Sequence, residues 1–516
     1  MDATVEQQNN KRIAKNTLLL YFRMMLTMGV GLYTSRVILE TLGVENFGIY
    51  SAVGGVVAMF SMISGALSSA ISRFFTFELG KGNLENLRKV FSTAVIVQIF
   101  LSVIVILLAE TAGVWFLNSK MNIPETSMFA ANCVLQLSLL TFCVNLISVP
   151  YNAAIIAHER MKAFAYVSVL EALGKLGIAW AILVSPMDKL IFYALLMTFL
   201  SLIIRLVYGR YCKRNFRECS CKMRMDKVVV KQMFDFAGWN TIGQVAYVAN
   251  TQGTNVLINL FFGVTMNAAR GIAVQVDNVV NTFLNNFVLA LNPQITKSYA
   301  VKNREYMFFL MEKGARLGFF LTLILVTPMI LECDFLLNIW LKNVPSNAVL
   351  FTRLVLVYTL IQSLSQTLFT ALLATGNIRN YQILVGGLLA LALPLTYFLY
   401  KIGFDVEYCY YVLIVFAAVC LWIRLFLLRK MIGFSILFFI RRVVLSCLIV
   451  TTSLMFGVAL LMHFFEGENS SSITRIVISI VLCVSLVFFF GLTRNEKRTV
   501  LSIKNKILHK GVEKNE

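Results

Sequence analysis

The sequence predicts an all-α polytopic integral membrane protein of about 14 transmembrane helices, arranged as two six-helix lobes plus two C-terminal helices. Three observations predict it. Of 516 residues, 58% are hydrophobic and 14% are charged, and 41 are phenylalanine, a composition that a soluble domain could not hide from water. Apolar runs of 18 to 25 residues recur from Thr17 to Leu492, each long enough as a helix to cross a hydrocarbon core of about 30 Å. Lysine and arginine collect in alternate inter-span segments, as they do when a chain crosses a membrane many times.

In chain order the spans are expected at 17–39, 47–71, 91–110, 129–153, 163–184, 188–208, 239–261, 266–290, 315–335, 351–374, 382–400, 408–428, 438–462 and 473–491. Polar residues interrupt the second, eighth and tenth. The basic start "MDATVEQQNNKRIAKN" precedes a 23-residue span without a small-x-small cleavage site, so a retained helix is expected there rather than a signal peptide. One set of alternate segments holds 36 of the 46 Lys and Arg, and the other set carries mainly acids such as Glu45, Glu125, Asp188, Glu332 and Asp405. The positive-inside bias then puts both termini in the cytoplasm and makes the count even. On this reading the net charge of +20 anchors and orients the chain and attracts anionic membrane lipids, and needs no nucleic-acid partner.

The longest interior segment, "GRYCKRNFRECSCKMRMDKVVVKQMFDF", follows six spans and precedes six more, like a hinge. The expected organisation is an N-lobe over 1–208 and a basic cytoplasmic linker over 209–236. A C-lobe over 237–430, spans thirteen and fourteen within 431–493, and a basic cytoplasmic tail over 494–516 follow. A faint repeat relates the lobes. "YNAAIIAHERMKAFAY" after span four matches "LFTALLATGNIRNYQI" after span ten at an offset of 217, which pairs Ala154 with Ala371 and Ala157 with Ala374. "LGVENFGIY" between spans one and two likewise echoes "FGVTMNAARGI" between spans seven and eight. Both halves start in the cytoplasm, so the repeats are parallel, and two such bundles suggest a transporter rocking about a central site.

Motifs for catalysis and metal binding are missing. The chain has three histidines and no H-E-x-x-H, P-loop, G-x-S-x-G or G-x-G-x-x-G pattern in a suitable context. Cys212, Cys219 and Cys221 lie close together but without a nearby histidine. No extramembrane segment is long enough for an enzyme domain, so neither an enzyme nor a bound cofactor or metal is expected.

The informative residues are polar ones inside the spans. Arg23 sits about 9 Å into span one, where it either faces a polar pathway or snorkels to the inner headgroups. On span eight, Asn267, Arg270, Asp277 or Asn278, Asn281 and Asn285 return at helical spacing near one face. Asn240, Gln244, Tyr247, Thr251 and Thr254 do the same on span seven, Gln362, Gln366 and Thr370 on span ten, and Ser61, Gly65, Ser68 and Ser72 on span two. Four striped helices suit a hydrated cavity, and a polar seam tying helices together is the structural alternative. Arg23 and Arg270 could grip a diphosphate, since guanidinium stays charged and offers a rigid donor fork. Gln244, Tyr247, Thr251, Asn281, Asn285, Gln362 and Gln366 could receive sugar hydroxyls. Asp277 and the i,i+4 pair Glu171 and Lys175 are the candidates for ion coupling, with local charge balance the alternative for each.

Four stretches carry a resemblance: "SRVILETLGVENFGIYSAVGGVVAMFSMISGALSSAISRFFTFELGKGN", "YNAAIIAHERMKAFAY", "GWNTIGQVAYVANTQGTNVLINLFFG" and "LALNPQITKSYAVKN". With the two six-helix lobes, the chain resembles the polysaccharide-export branch of the multidrug/oligosaccharidyl-lipid/polysaccharide exporter superfamily, in particular bacterial O-antigen and capsule repeat-unit flippases. The resemblance covers nearly the full chain. It implies that undecaprenyl-diphosphate-linked oligosaccharide is flipped across the bacterial inner membrane by alternating access, driven by a proton or sodium gradient. Glycan polymerases or glycosyltransferases are the partners it implies. Arg23 and Arg270 look like the positions where related lipid II flippases meet the diphosphate. Span two departs from that pattern, with its first arginine at Arg73 near the cytoplasmic end, so lipid II is a less expected cargo. A multidrug or small-molecule cation antiporter of the same superfamily and a non-transporting scaffold are the rival readings.

Overall fold

The computed structural model describes residues 3–58, 60–120, 124–185, 187–219, 225–341, 344–464, 472–494 and 496–498. Every element assigned among them is helical. The first helix, Ala3–Ala58, holds span one and breaks at Gly43, whose φ of 78° an L side chain rarely adopts. Span two continues from that break into Ser61–Lys81. Spans three to six follow as Leu84–Leu108 with its π-turn extension, Glu125–Ala157, Met161–Ala181 and Lys189–Asn215. Side chains mark two of these starts. Asn83 accepts from the Asn86 amide at 3.1 Å, and Asp188 accepts from the Leu190 and Ile191 amides at 2.9 and 3.0 Å, satisfying donors that the first turn leaves open.

The second half starts with two long helices, Lys227–Phe262 and Val264–Ala300, joined at Gly263 with a φ of 84°. Arg304–Leu331 is span nine. Span ten is bent by 45° between Ala348–Ser363 and Gln366–Thr375. Spans eleven to fourteen lie within Arg379–Ile402, Tyr408–Ile432, Ile436–Leu460 and Ser472–Gly491.

Length and hydropathy count fewer spans than the sequence pattern. Ten helices among the described residues are long and apolar enough to cross a membrane, eleven if the bent pair is one span, so length and hydropathy do not confirm fourteen. The physical reason is local. Ser61–Lys81 carries serines with Arg73, Glu78 and Lys81, while Lys227–Phe262 and Val264–Ala300 have 36 and 37 residues, about 54 Å of helix each, yet carry the polar faces and too little apolar surface to qualify. The linker over 209–236 is also largely helix, because span six runs on to Asn215 and span seven begins at Lys227. Lysine and arginine are good helix formers, and a helix need not stop where the bilayer does. Most of the expected tail, 499–516, lies outside the described residues, as does Cys221.

By compactness the chain forms two units that interleave along the sequence. One comprises 1–246, 289–307 and 370–386 and the other 247–288, 308–369 and 387–516. The first has a core around Phe75, Phe91, Phe236 and Ile378. Its rings meet edge-on, with Phe75 and Phe91 centroids 6.2 Å apart and Phe91 and Tyr151 5.1 Å apart, a geometry that suits aromatic quadrupoles. The second unit has its core around Ile258, Ala273, Phe351 and Tyr410.

Backbone conformation repeats where the sequence does. Gly43 and Gly263, at corresponding places in the two echoes, both have positive φ. Glu159 and Gly376, related by the same offset of 217, have φ of 57° and 79° in the turns after spans four and ten.

Candidate functional site

In the second unit the polar faces of spans seven, eight and ten meet. Arg270 is 3% exposed, so its permanent charge has to be answered from within the protein. Its Nε donates to Asn255 Oδ1 at 2.6 Å and Nη2 to the Thr251 carbonyl at 3.3 Å, while the Tyr410 ring lies 5.7 Å from the guanidinium carbon. The first two partners come from the end of span seven, across the Gly263 turn. That turn brings the end of one helix back beside the start of the next.

Two turns along span eight, Asp277 takes a hydrogen bond from Asn281 Nδ2 at 2.8 Å and another from the Thr359 hydroxyl of span ten. Thr359 is fully buried. Arg270 and Asp277 bond to different partners, so one helix face carries two separate polar nodes. Near the second, Gln362 Nε2 donates to the Tyr358 hydroxyl at 3.2 Å, and Gln366 starts the helix below the bend of span ten. Tyr247 is 56% exposed and Asn285 is exposed, whereas the Thr251 hydroxyl turns back to the Tyr247 carbonyl at 2.9 Å.

The first unit holds the remaining candidates. Arg23 Nη1 donates to Ser168 Oγ at 3.4 Å, and its guanidinium carbon lies 4.7 Å from the Phe164 ring centre. Both contacts are on span five. The same face of that helix, at helical spacing, carries Glu171 and Lys175, which pair at 2.7 Å with side chains 41% and 43% exposed. Gln244 approaches span two at Gly65, where an added Cβ would lie 3.3 Å from its Oε1. The structure thus gathers Thr251, Arg270, Asp277 and Asn281 in one unit and Arg23, Glu171 and Lys175 in the other.

Periodicity missed the partners. Asn255 is one turn beyond Thr251 and would have extended the span-seven stripe, and Thr359 stands one turn before Gln362. It also missed a charged group in the first unit at the end of span four. There Glu159, with a side chain 2% exposed, pairs with Arg12 at 2.5 Å and Lys297 at 2.9 Å. Next to it His158 bonds Glu218 at 2.5 Å and stacks on Phe216 at 4.2 Å. Burial pushes the Glu218 carboxyl up, but the bond from His158, a backbone bond and the charge of Arg88 outweigh it, so the net shift is below the usual carboxylate value.

Comparison with known proteins follows the same lines. Residues 13–299 match the family described as polysaccharide biosynthesis protein. The uncharacterized membrane protein EpsK of Bacillus subtilis is 21% identical over 296 residues, 57% of this chain, and the match spans 58% of that relative's length. Three solved structures share the fold at 12% identity. A multidrug-resistance MATE family transporter of the MOP superfamily in an outward-facing conformation covers 82% of this chain and 95% of its own, with a TM-score of 0.69. A MATE transporter in a straight conformation covers 82% and 96% with a TM-score of 0.70. A MOP superfamily transporter from Pyrococcus furiosus, noted for a binding pocket of reversed polarity, covers 81% and 95% with a TM-score of 0.66. With more than half of its length matched by the family, the chain belongs to the polysaccharide biosynthesis protein family, and it shares the fold of these transporters.

Proposed function

We propose that this protein flips undecaprenyl-diphosphate-linked oligosaccharide repeat units from the cytoplasmic to the periplasmic leaflet of a bacterial inner membrane, by alternating access and with both termini in the cytoplasm. Its family and fold are those of multi-pass membrane transporters. One observation carries the finer reading. Two of the helices that fall short as free-standing apolar spans, Lys227–Phe262 and Val264–Ala300, are the long ones on which an arginine, an aspartate and several amides lie. A helix held in a membrane at that polar cost needs something polar to handle.

A diphosphate joined to a sugar chain suits such a face. Arg270 is assigned to the anion, with Arg23 as its counterpart in the first half. Gln244, Tyr247, Thr251, Asn281, Asn285, Gln362 and Gln366 are assigned to the glycan. In the present conformation Arg270 is committed to Asn255 and Thr251, so diphosphate binding exchanges those partners for phosphate oxygens. Coupling to a proton or sodium gradient is part of the proposal, with Asp277 as the leading carboxylate and the Glu171–Lys175 pair as the second. Polymerases or glycosyltransferases acting on the same glycan are the proposed partners.

A deletion strain tests the reading. Loss of surface glycan with lipid-linked precursor accumulating in the cytoplasmic leaflet is the expected outcome. Normal glycan export would rule out this cargo.

A further inference from the structure

We infer that Glu159 is the bolt of a cytoplasmic latch: its carboxylate ties the N-terminal helix and the end of span eight to the turn after span four, and the cytoplasmic side opens only when those bonds let go. The inference rests on the alternating-access reading above and adds to it the residue that controls one of the two openings.

Three donors from distant parts of the chain converge on this carboxylate. Arg12 Nη2 lies 2.5 Å from Oε2, Lys297 Nζ lies 2.9 Å from Oε1, and Gln294 Nε2 donates to Oε2 at 3.2 Å. Tyr306 in turn donates its hydroxyl to Gln294 Oε1 at 3.1 Å, which fixes the amide with its donor side toward Glu159. Burying a carboxylate without enough partners is costly, and withdrawal of span eight's end would take two of the three donors and leave Arg12 alone. Separation therefore favours exposure of the carboxylate.

The backbone gives a second argument. Glu159 has a φ of 57°, a conformation that costs a residue with a Cβ, and its repeat equivalent in the second half is Gly376. The turn can thus be made with no side chain at all, and the bonds of the carboxylate offset the cost of placing one there.

The repeat also supplies a mirror contact. At the end of span two, Arg73 Nη2 donates to the Ala374 carbonyl at 3.0 Å, and a Cβ added at Gly376 would lie 2.4 Å from the same nitrogen. The end of span two therefore grips the turn after span ten, as the end of span eight grips the turn after span four. Gly80 and Lys297, again 217 apart, meet where these ends cross, since a Cβ on Gly80 would come within 2.9 Å of Lys297 Cα. Reciprocal gripping, with equivalent residues touching at the centre, is what a two-fold relation between halves produces. A 460 Å³ cavity bordered by Arg12, His158, Glu159, Lys297, Asn303 and Tyr306 adjoins the ion pairs. Arg12 is itself half exposed, so the latch is accessible from outside the fold.

The test is hydrogen–deuterium exchange on the full-length protein in lipid vesicles, for wild type, E159Q, K297M and the double variant E159Q/K297M. The latch predicts that E159Q and K297M each speed exchange about tenfold in residues 294–303, with 348–356 in the second unit's core unchanged. The double variant should accelerate exchange no more than the stronger single variant, because both changes remove the same bond, and additive acceleration would show that Glu159 and Lys297 act separately. Wild-type exchange in both single variants overturns the latch, and so does acceleration spread equally over 348–356, which would mean general destabilisation. Glycolipid flux in the same vesicles separates the two readings. Local acceleration with no flux in wild type leaves the latch standing and removes the export assignment, whereas flux with unchanged exchange does the reverse.

Discussion

Two carboxylates in this molecule are held in different ways. Asp277, on span eight, is partly buried and bonded by a threonine hydroxyl and an asparagine amide, both from within one unit and one of them four residues away on its own helix. Glu159, at the end of span four, is bonded by two full cations and an amide whose residues are more than 130 positions distant. The neutral partners give Asp277 two donors without setting its charge against a counter-ion. The cations give Glu159 a clamp whose strength depends on distant segments staying together. The first arrangement leaves the group open to a change of partner, and the second suits a joint.

Sequence periodicity could see one of these and not the other. The span-eight face was legible because Asn267, Arg270, Asp277, Asn281 and Asn285 recur at three, four or seven, and a helix converts that spacing into a stripe. The helices themselves were legible from apolar runs. Their number on apolarity was not, since spans two, seven and eight give up apolar surface to polar and charged residues. The repeat was legible at Gly43 and Gly263, where both chains need a left-handed turn. Partners were illegible. Nothing in the spacing of span eight says that Arg270 will meet Asn255 or that Asp277 will meet Thr359, because those pairings depend on how helices pack. Glu159 was invisible for the same reason in stronger form, a lone acid in the turn "HER" whose cations lie in other segments.

Changes at the membrane node should have the largest effect. Replacing Arg270 by alanine removes the charge and both hydrogen bonds, and glycolipid flux should fall by about tenfold or more, a loss equal to at least one charge-assisted bond. Arg270→Lys should do nearly as badly, because an ammonium lacks the planar fork. Wild-type flux in both variants would reject the headgroup role. Thr359→Val comes next. It keeps shape but takes a donor from a partly buried carboxylate, and should cost about 1 kcal/mol of stability in denaturant titration. Asp277→Asn in the same chain should recover part of that loss, and strictly additive losses would show that the two side chains do not interact.

The smallest effect is expected at Glu171 and Lys175. Their pair is two-fifths exposed, so E171Q/K175Q should shift stability by less than about 1 kcal/mol, discounted for solvent screening. A large fall in gradient-driven flux with unchanged stability would instead move ion coupling from Asp277 to this pair.

The most direct test of the central claim is transport of a defined undecaprenyl-diphosphate-linked oligosaccharide by the purified protein in sealed vesicles, with and without imposed proton and sodium gradients. Flux from one leaflet to the other that rises with one gradient and is lost in Arg270→Ala is the predicted result. No movement of the glycolipid above protein-free vesicles, under either gradient, would contradict it.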